Sequence, residues 1–72
     1  MNVLIFKTDI GTRKKVREIS PILNNLQTVS RWTVDMEDID NVLRIEASGP
    51  LQEHDIIELI KPLGFHCEDL PE

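Results

Sequence analysis

Apolar residues are spaced along this chain in two different periods. From Asn2 to Thr8, NVLIFKT, they run almost without a break and are rich in β-branched and aromatic types. Such a run predicts a strand apolar on both faces, and so a central place in a sheet, covered at least partly on both faces. From Val16 the period changes. Val16, Ile19, Leu23 and Leu26 recur at three- and four-residue steps, an amphipathic helix that the Thr12 hydroxyl can cap. Pro21 falls inside this stripe and predicts a kink or a loosened turn, because it removes one backbone hydrogen bond. Alternation returns in VSRWTVDM, with Trp32, Val34 and Met36 on one face and Arg31, Thr33 and Asp35 on the other. It continues in VLRIEA, with Leu43, Ile45 and Ala47 inward. The polar EDIDN between them predicts a hairpin. After SGP, the segment QEHDIIELIKPLG takes up helical spacing again, with Ile56, Leu59, Ile60 and Leu63 on the buried side. Glu53 and Asp55 suit the positive start of that helix, and Pro62 and Gly64 mark its end. FHCEDL is a last short strand at an edge, where Glu68 and Asp69 discourage pairing with other chains.

The order strand, helix, strand, strand, helix, strand, with right-handed crossovers, folds in one way that covers the apolar faces. It is an α+β, ferredoxin-like βαββαβ sandwich: a four-stranded antiparallel sheet with both helices on one face. No linker or low-complexity segment interrupts residues 1–72, so a single domain is expected. A chain of 72 residues buries only about 60% of its unfolded surface, which leaves a small core.

Charge narrows the possible partners. With 13 acidic residues, 8 basic ones and a net charge of -5, the chain repels nucleic acid and anionic membranes. Its aromatic residues are Phe6, Trp32 and Phe65, too few for a base-stacking platform. The single Cys67 rules out an internal disulfide and fits a reducing, cytoplasmic setting. No apolar run reaches the roughly 20 residues of a membrane helix, and MNVLIFKTDI reads as a core strand, not a signal peptide. No Ser/His/Asp or Cys/His set is brought together by this topology, so no enzyme is expected.

The bases are segregated. Lys7, Arg13, Lys14, Lys15 and Arg17 all lie within residues 7–17, where a strand hands over to a helix. A helix start favours Asp or Glu, so this cluster runs against the dipole. In its blandest reading it is a solvated, tolerated patch. A second reading is an anion site, with Gly11 giving close approach and the Thr12 hydroxyl, Arg13, Lys14 or Lys15 holding a phosphate or carboxylate. GTRKK lacks the second Gly and the Gly-Lys-Ser/Thr ending of a P-loop.

From Phe6 to Leu70 the chain resembles the heavy-metal-associated domains, the family of small copper chaperones and of the N-terminal modules of metal-transporting ATPases. VREISPIL resembles that family's first helix, VSRWTVDM its second strand, and DIIELIKPLGF its second helix with the Gly-aromatic pair that follows. The resemblance implies the same sandwich fold. It also implies a Met-x-Cys-x-x-Cys loop before the first helix, and there this chain departs. Laying the helices together puts Ile10 at the Met, Thr12 at the first Cys and Lys15 at the second. Copper(I) and zinc in such sites need soft, deprotonated sulfur. A hydroxyl is a poor soft-metal ligand and an ammonium repels the cation, so no metal or other cofactor is expected there. Members of the family dock on one another through this loop face, steered by opposite charges. The resemblance therefore implies a third reading of the cluster: Arg13, Lys14, Lys15 and Arg17 meet an acidic surface on a protein partner.

Other ligand types are scattered. His66 and Cys67 are adjacent in a strand, so they point to opposite faces and do not easily share an ion. His54 is expected at the solvent side of the second helix, and Cys67 as a small core residue. Weak metal binding through these three is the remaining metal reading. EDID lacks the Gly and the distant Glu of a calcium-binding EF-hand loop.

Overall fold

The computed structural model describes residues 2–70. Six elements follow in the expected order: β1 (Asn2–Thr8), α1 (Arg13–Asn24), β2 (Val29–Val34), β3 (Leu43–Ala47), α2 (Glu53–Ile60) and β4 (Cys67–Asp69). The strands form one antiparallel sheet in the order β2-β3-β1-β4, so β1 is central and β4 is an edge. This is the ferredoxin-like sandwich.

One face of the sheet makes the core. Leu4 and Phe6 of β1 and Leu43 and Ile45 of β3 pack in a single cluster with Ile19 and Leu23 of α1 and Ile56 and Ile60 of α2. Both helices therefore cover the same face. The other face is open, and here β1 departs from expectation. Its run is apolar on both parities, but Val3 and Ile5 look outward beside Arg44 and Glu46 of β3, and Val3 is exposed. The central position comes from pairing on both edges, not from cover on both faces.

α1 continues unbroken through Pro21 to Asn24, with Ile19 and Leu23 buried and Val16 and Leu26 packed at the margin. Trp32 of β2 is half-buried and donates from Nε1 to Asn24 Oδ1 (2.8 Å), which ties the edge strand to the end of α1. α2 begins with a reciprocal contact: the Gln52 amide donates to Asp55 Oδ2 (3.0 Å). Glu53 and Asp55 lie in its first turn.

Three apolar expectations fail, two of them for a local reason. β2 stops at Val34, because Asp35 starts a turn in which its Oδ1 accepts from the Glu37 amide. Met36 is carried out of the strand and is 38% exposed. α2 proper stops at Ile60, since Pro62 tightens the chain into a 3₁₀ turn over Lys61–Leu63 that swings Leu63 into solvent. Leu59, expected on the buried side with Ile56 and Ile60, is only half-buried. Gly64 then takes φ 93°, a left-handed value that glycine adopts without a Cβ penalty, and its amide closes on Lys61 O.

Candidate functional site: the junction of β1 and α1

The loop Asp9–Thr12 is held from both sides. Thr8, buried at the end of β1, donates its hydroxyl to Asn41 O (2.6 Å) and accepts from the Ile10 amide (3.1 Å). Its amide donates to Asp40 O (3.0 Å). The β2–β3 hairpin is thereby pinned against the loop. Contact is close enough that a Cβ on Gly11 would stand 2.9 Å from Asn41 Oδ1, so any larger residue pushes the hairpin side chain away. On the other side, Asp9 Oδ1 accepts from the His66 amide (2.9 Å), which fixes the loop to the entry of β4.

The helix start follows from Thr12. With an extended backbone at φ -134° and ψ 158°, its Oγ1 accepts from the Lys15 amide (3.2 Å) and its carbonyl from the Val16 amide (3.0 Å). The hydroxyl acts as the N-cap that the sequence predicts. Lys15 folds back, half-buried, and donates from Nζ to Asp9 O (3.2 Å).

The three seats of the expected metal loop therefore hold no soft donor. Ile10 is fully buried in the core, Thr12 is spent on capping, and Lys15 is an ammonium bound to a carbonyl. This donor set does not fit copper(I) or zinc. Cys67, the only thiol, is 1% exposed among core residues. Burial pushes its pKa from 9.0 up to about 11, against a smaller opposing pull from Lys61. It is thus a thiol at neutral pH, not a thiolate ligand. His66, which precedes β4, is exposed beside Glu68 (3.7 Å) while Cys67 is buried, and His54 is exposed beside Asp55 (3.3 Å). Among the described residues no three His, Cys, Asp or Glu side chains gather as a metal site would require.

The basic cluster itself stands free. Arg13, Lys14 and Arg17 are exposed, and the first turn of α1 contains no acid. Ion pairs elsewhere join Lys7 to Asp40 (3.6 Å) and Arg31 to Glu46 (3.9 Å). Among the described residues, none joins Arg13, Lys14, Lys15 or Arg17 to a carboxylate. A separate shallow concavity of about 360 Å³, lined by Arg31, Thr33, Arg44 and Glu46, lies on the open sheet face, away from the junction. The fastening side chains Asp9, Thr8 and Asn41 escaped sequence reasoning.

Neither a protein-family model nor a curated protein sequence matches the chain. Among solved structures it is similar to a chain of the Atx1–Cu(I)–Ccc2a complex in solution. The TM-score is 0.84 at 19% identity, over 99% of this chain and 97% of that one. At that identity the likeness is one of fold, and at the level of fold it bears out the resemblance to heavy-metal-associated domains.

Proposed function

We propose that this chain is a non-catalytic docking module, built on the heavy-metal-associated type of sandwich, that meets an acidic protein surface through Arg13, Lys14 and Arg17 and carries no metal at its first loop. The single observation that supports this most is the unpaired basic cluster at the start of α1, just after a fastened loop. Exposed charges without internal partners are available to steer and orient another protein, on a scaffold tied by the Thr8 and Asp9 hydrogen bonds. The neighbouring fold was solved as a complex of two proteins around copper(I). The present chain has no cysteine in its first loop. The lone, protonated Cys67 suits a reducing compartment such as the cytoplasm.

Two measurements test this. Affinity capture from cell extract compares the wild type with Lys14→Glu/Arg17→Glu; proteins retained by the first and lost by the second are expected, and an unchanged set rejects the reading. Copper(I) titrated against a chromophoric chelator under reducing conditions is expected to stay with the chelator. Stoichiometric, tight uptake that Thr12 or Lys15 substitutions abolish rejects the metal-free loop.

A further inference from the structure

One end of the molecule carries both signs of charge. β1 ends there, α1 begins there, and the hairpin 35–42 is fastened against them through Thr8, Asp40 and Asn41. The hairpin presents Asp35, Glu37, Asp38 and Asp40 around Ile39, which is 94% exposed. Across the Gly11–Asn41 contact lies the basic cluster. Lys7 reaches Asp40, but Arg13, Lys14 and Arg17 pair with none of these acids. Apart from the Lys7–Asp40 pair, opposite charges thus sit at one end of the molecule without pairing with one another. Met36 and Leu63 add apolar surface at the same end.

We infer that a second copy of this chain occupies this end, in a two-fold, head-to-head dimer. The acidic hairpin of each copy meets the basic start of α1 of the other. This inference rests on the docking reading above and names the acidic surface it requires. The argument for a second copy is charge complementarity combined with symmetry. A two-fold interface must be complementary to itself, and a patch of one sign repels its own copy. A patch divided into adjacent basic and acidic halves satisfies both contacts at once when turned by half a rotation. Ile39 then leaves water at the centre of the contact, where a single aliphatic side chain contributes most when fully desolvated. The exposed charges around it set the encounter rate and the salt dependence.

The test uses the whole chain and its charge-swapped variants in sedimentation-velocity runs up to about 1 mM protein, at about 20 mM and about 500 mM salt. Lys14→Glu/Arg17→Glu reverses the basic half. Met36→Lys/Glu37→Lys reverses the acidic half while leaving Asp35 and Asp38, whose carboxylates hold the turn, in place. The Trp32 emission and circular dichroism of each variant report that it is folded. The wild type is expected to dimerise at low salt and to dissociate at high salt. Each variant alone is expected to be at least about tenfold weaker, and their equimolar mixture to recover the dimer as a heterodimer. Ile39→Ser is expected to weaken association without changing its salt dependence. A wild type that stays monomeric throughout, or a mixture that shows no recovery, overturns the dimer. If in that case the Lys14→Glu/Arg17→Glu variant still loses its captured proteins, the docking reading survives with a different acidic partner. If it loses none, both fall.

Discussion

Thr12 and Lys15 occupy the seats where the resemblance places sulfur, and each is put to local use: one caps α1, the other tethers the loop through Asp9 O. Thr12→Ala is therefore expected to lower stability by about 1 kcal/mol, read as a lower urea midpoint at constant slope. Thr12→Cys/Lys15→Cys is a stronger probe of the seats. If the loop has kept the geometry of its metal-binding counterparts, two thiolates placed there take copper(I) from a chromophoric competitor with one-to-one stoichiometry. A double variant that fails to compete shows that more than the sulfur is missing. Cys67 yields a pH prediction. Its folded pKa of about 11 lies above the 9.0 of an exposed thiol, because burial opposes the thiolate. The stabilisation is complete below pH 9, where both states hold the proton. It declines as pH rises from 9 towards 11, since the unfolded chain ionises first. Above about 11 the decline stops. The full loss is on the order of 2–3 kcal/mol. Urea midpoints from pH 8 to 11 should show this slope in the wild type and a shallower one in Cys67→Ala. Equal slopes reject the assignment.

Elements were legible wherever one period governed them. Leu43, Ile45 and Ala47 alternate in sequence and are fully buried in the structure. Ile19 and Leu23, or Ile56 and Ile60, share a face at the spacing of a helix turn and meet the same core. What stayed hidden was set by contacts distant in sequence. Nothing between Thr8 and Asn41 announces that a hydroxyl of one accepts an amide and donates to the other's carbonyl, 33 residues away. Nor does the pattern show that the Asp9 carboxylate crosses to the His66 amide. The uncovered face of β1 was hidden for a related reason: apolar residues on both parities do not say how far each face is covered, and here Val3 stays exposed on the open one. Pro21 is the element-scale test. It leaves Arg17 O without its helical donor, yet α1 continues through it to Asn24, with Ile19 and Leu23 buried in the core. Pro21→Ala restores that donor on an exposed position. It is expected to raise stability by about 1–3 kcal/mol, the lower end applying if the freer unfolded chain offsets part of the gain. An unchanged or lower denaturation midpoint means that the local backbone had already adapted to proline.

At the scale of the whole molecule, an acidic chain keeps its bases where they stabilise the fold least. A cation in the first turn of a helix opposes the dipole, and Arg13 also faces Arg17 one turn on, a like-charge pair at i and i+4. Arg13→Glu reverses both effects at once. A carboxylate comes to the positive helix start and is followed by a guanidinium in the favourable order. Against this stands the added self-repulsion of a chain already at -5. The local terms act within one turn and the global one is spread over the surface and screened, so the local terms win at moderate salt. The variant is expected to be more stable by about 1 kcal/mol, with the gain shrinking as salt is added. The same variant is expected to bind less, whether the test is capture of an acidic protein or sedimentation as a dimer. That opposition separates the solvated-patch reading of the cluster from the docking reading. A tolerated patch has no reason to lose binding when its charge is reversed, whereas a docking surface gains stability only by losing its partner. Arg13→Glu that gains stability and keeps all binding would return the cluster to plain solvated charge.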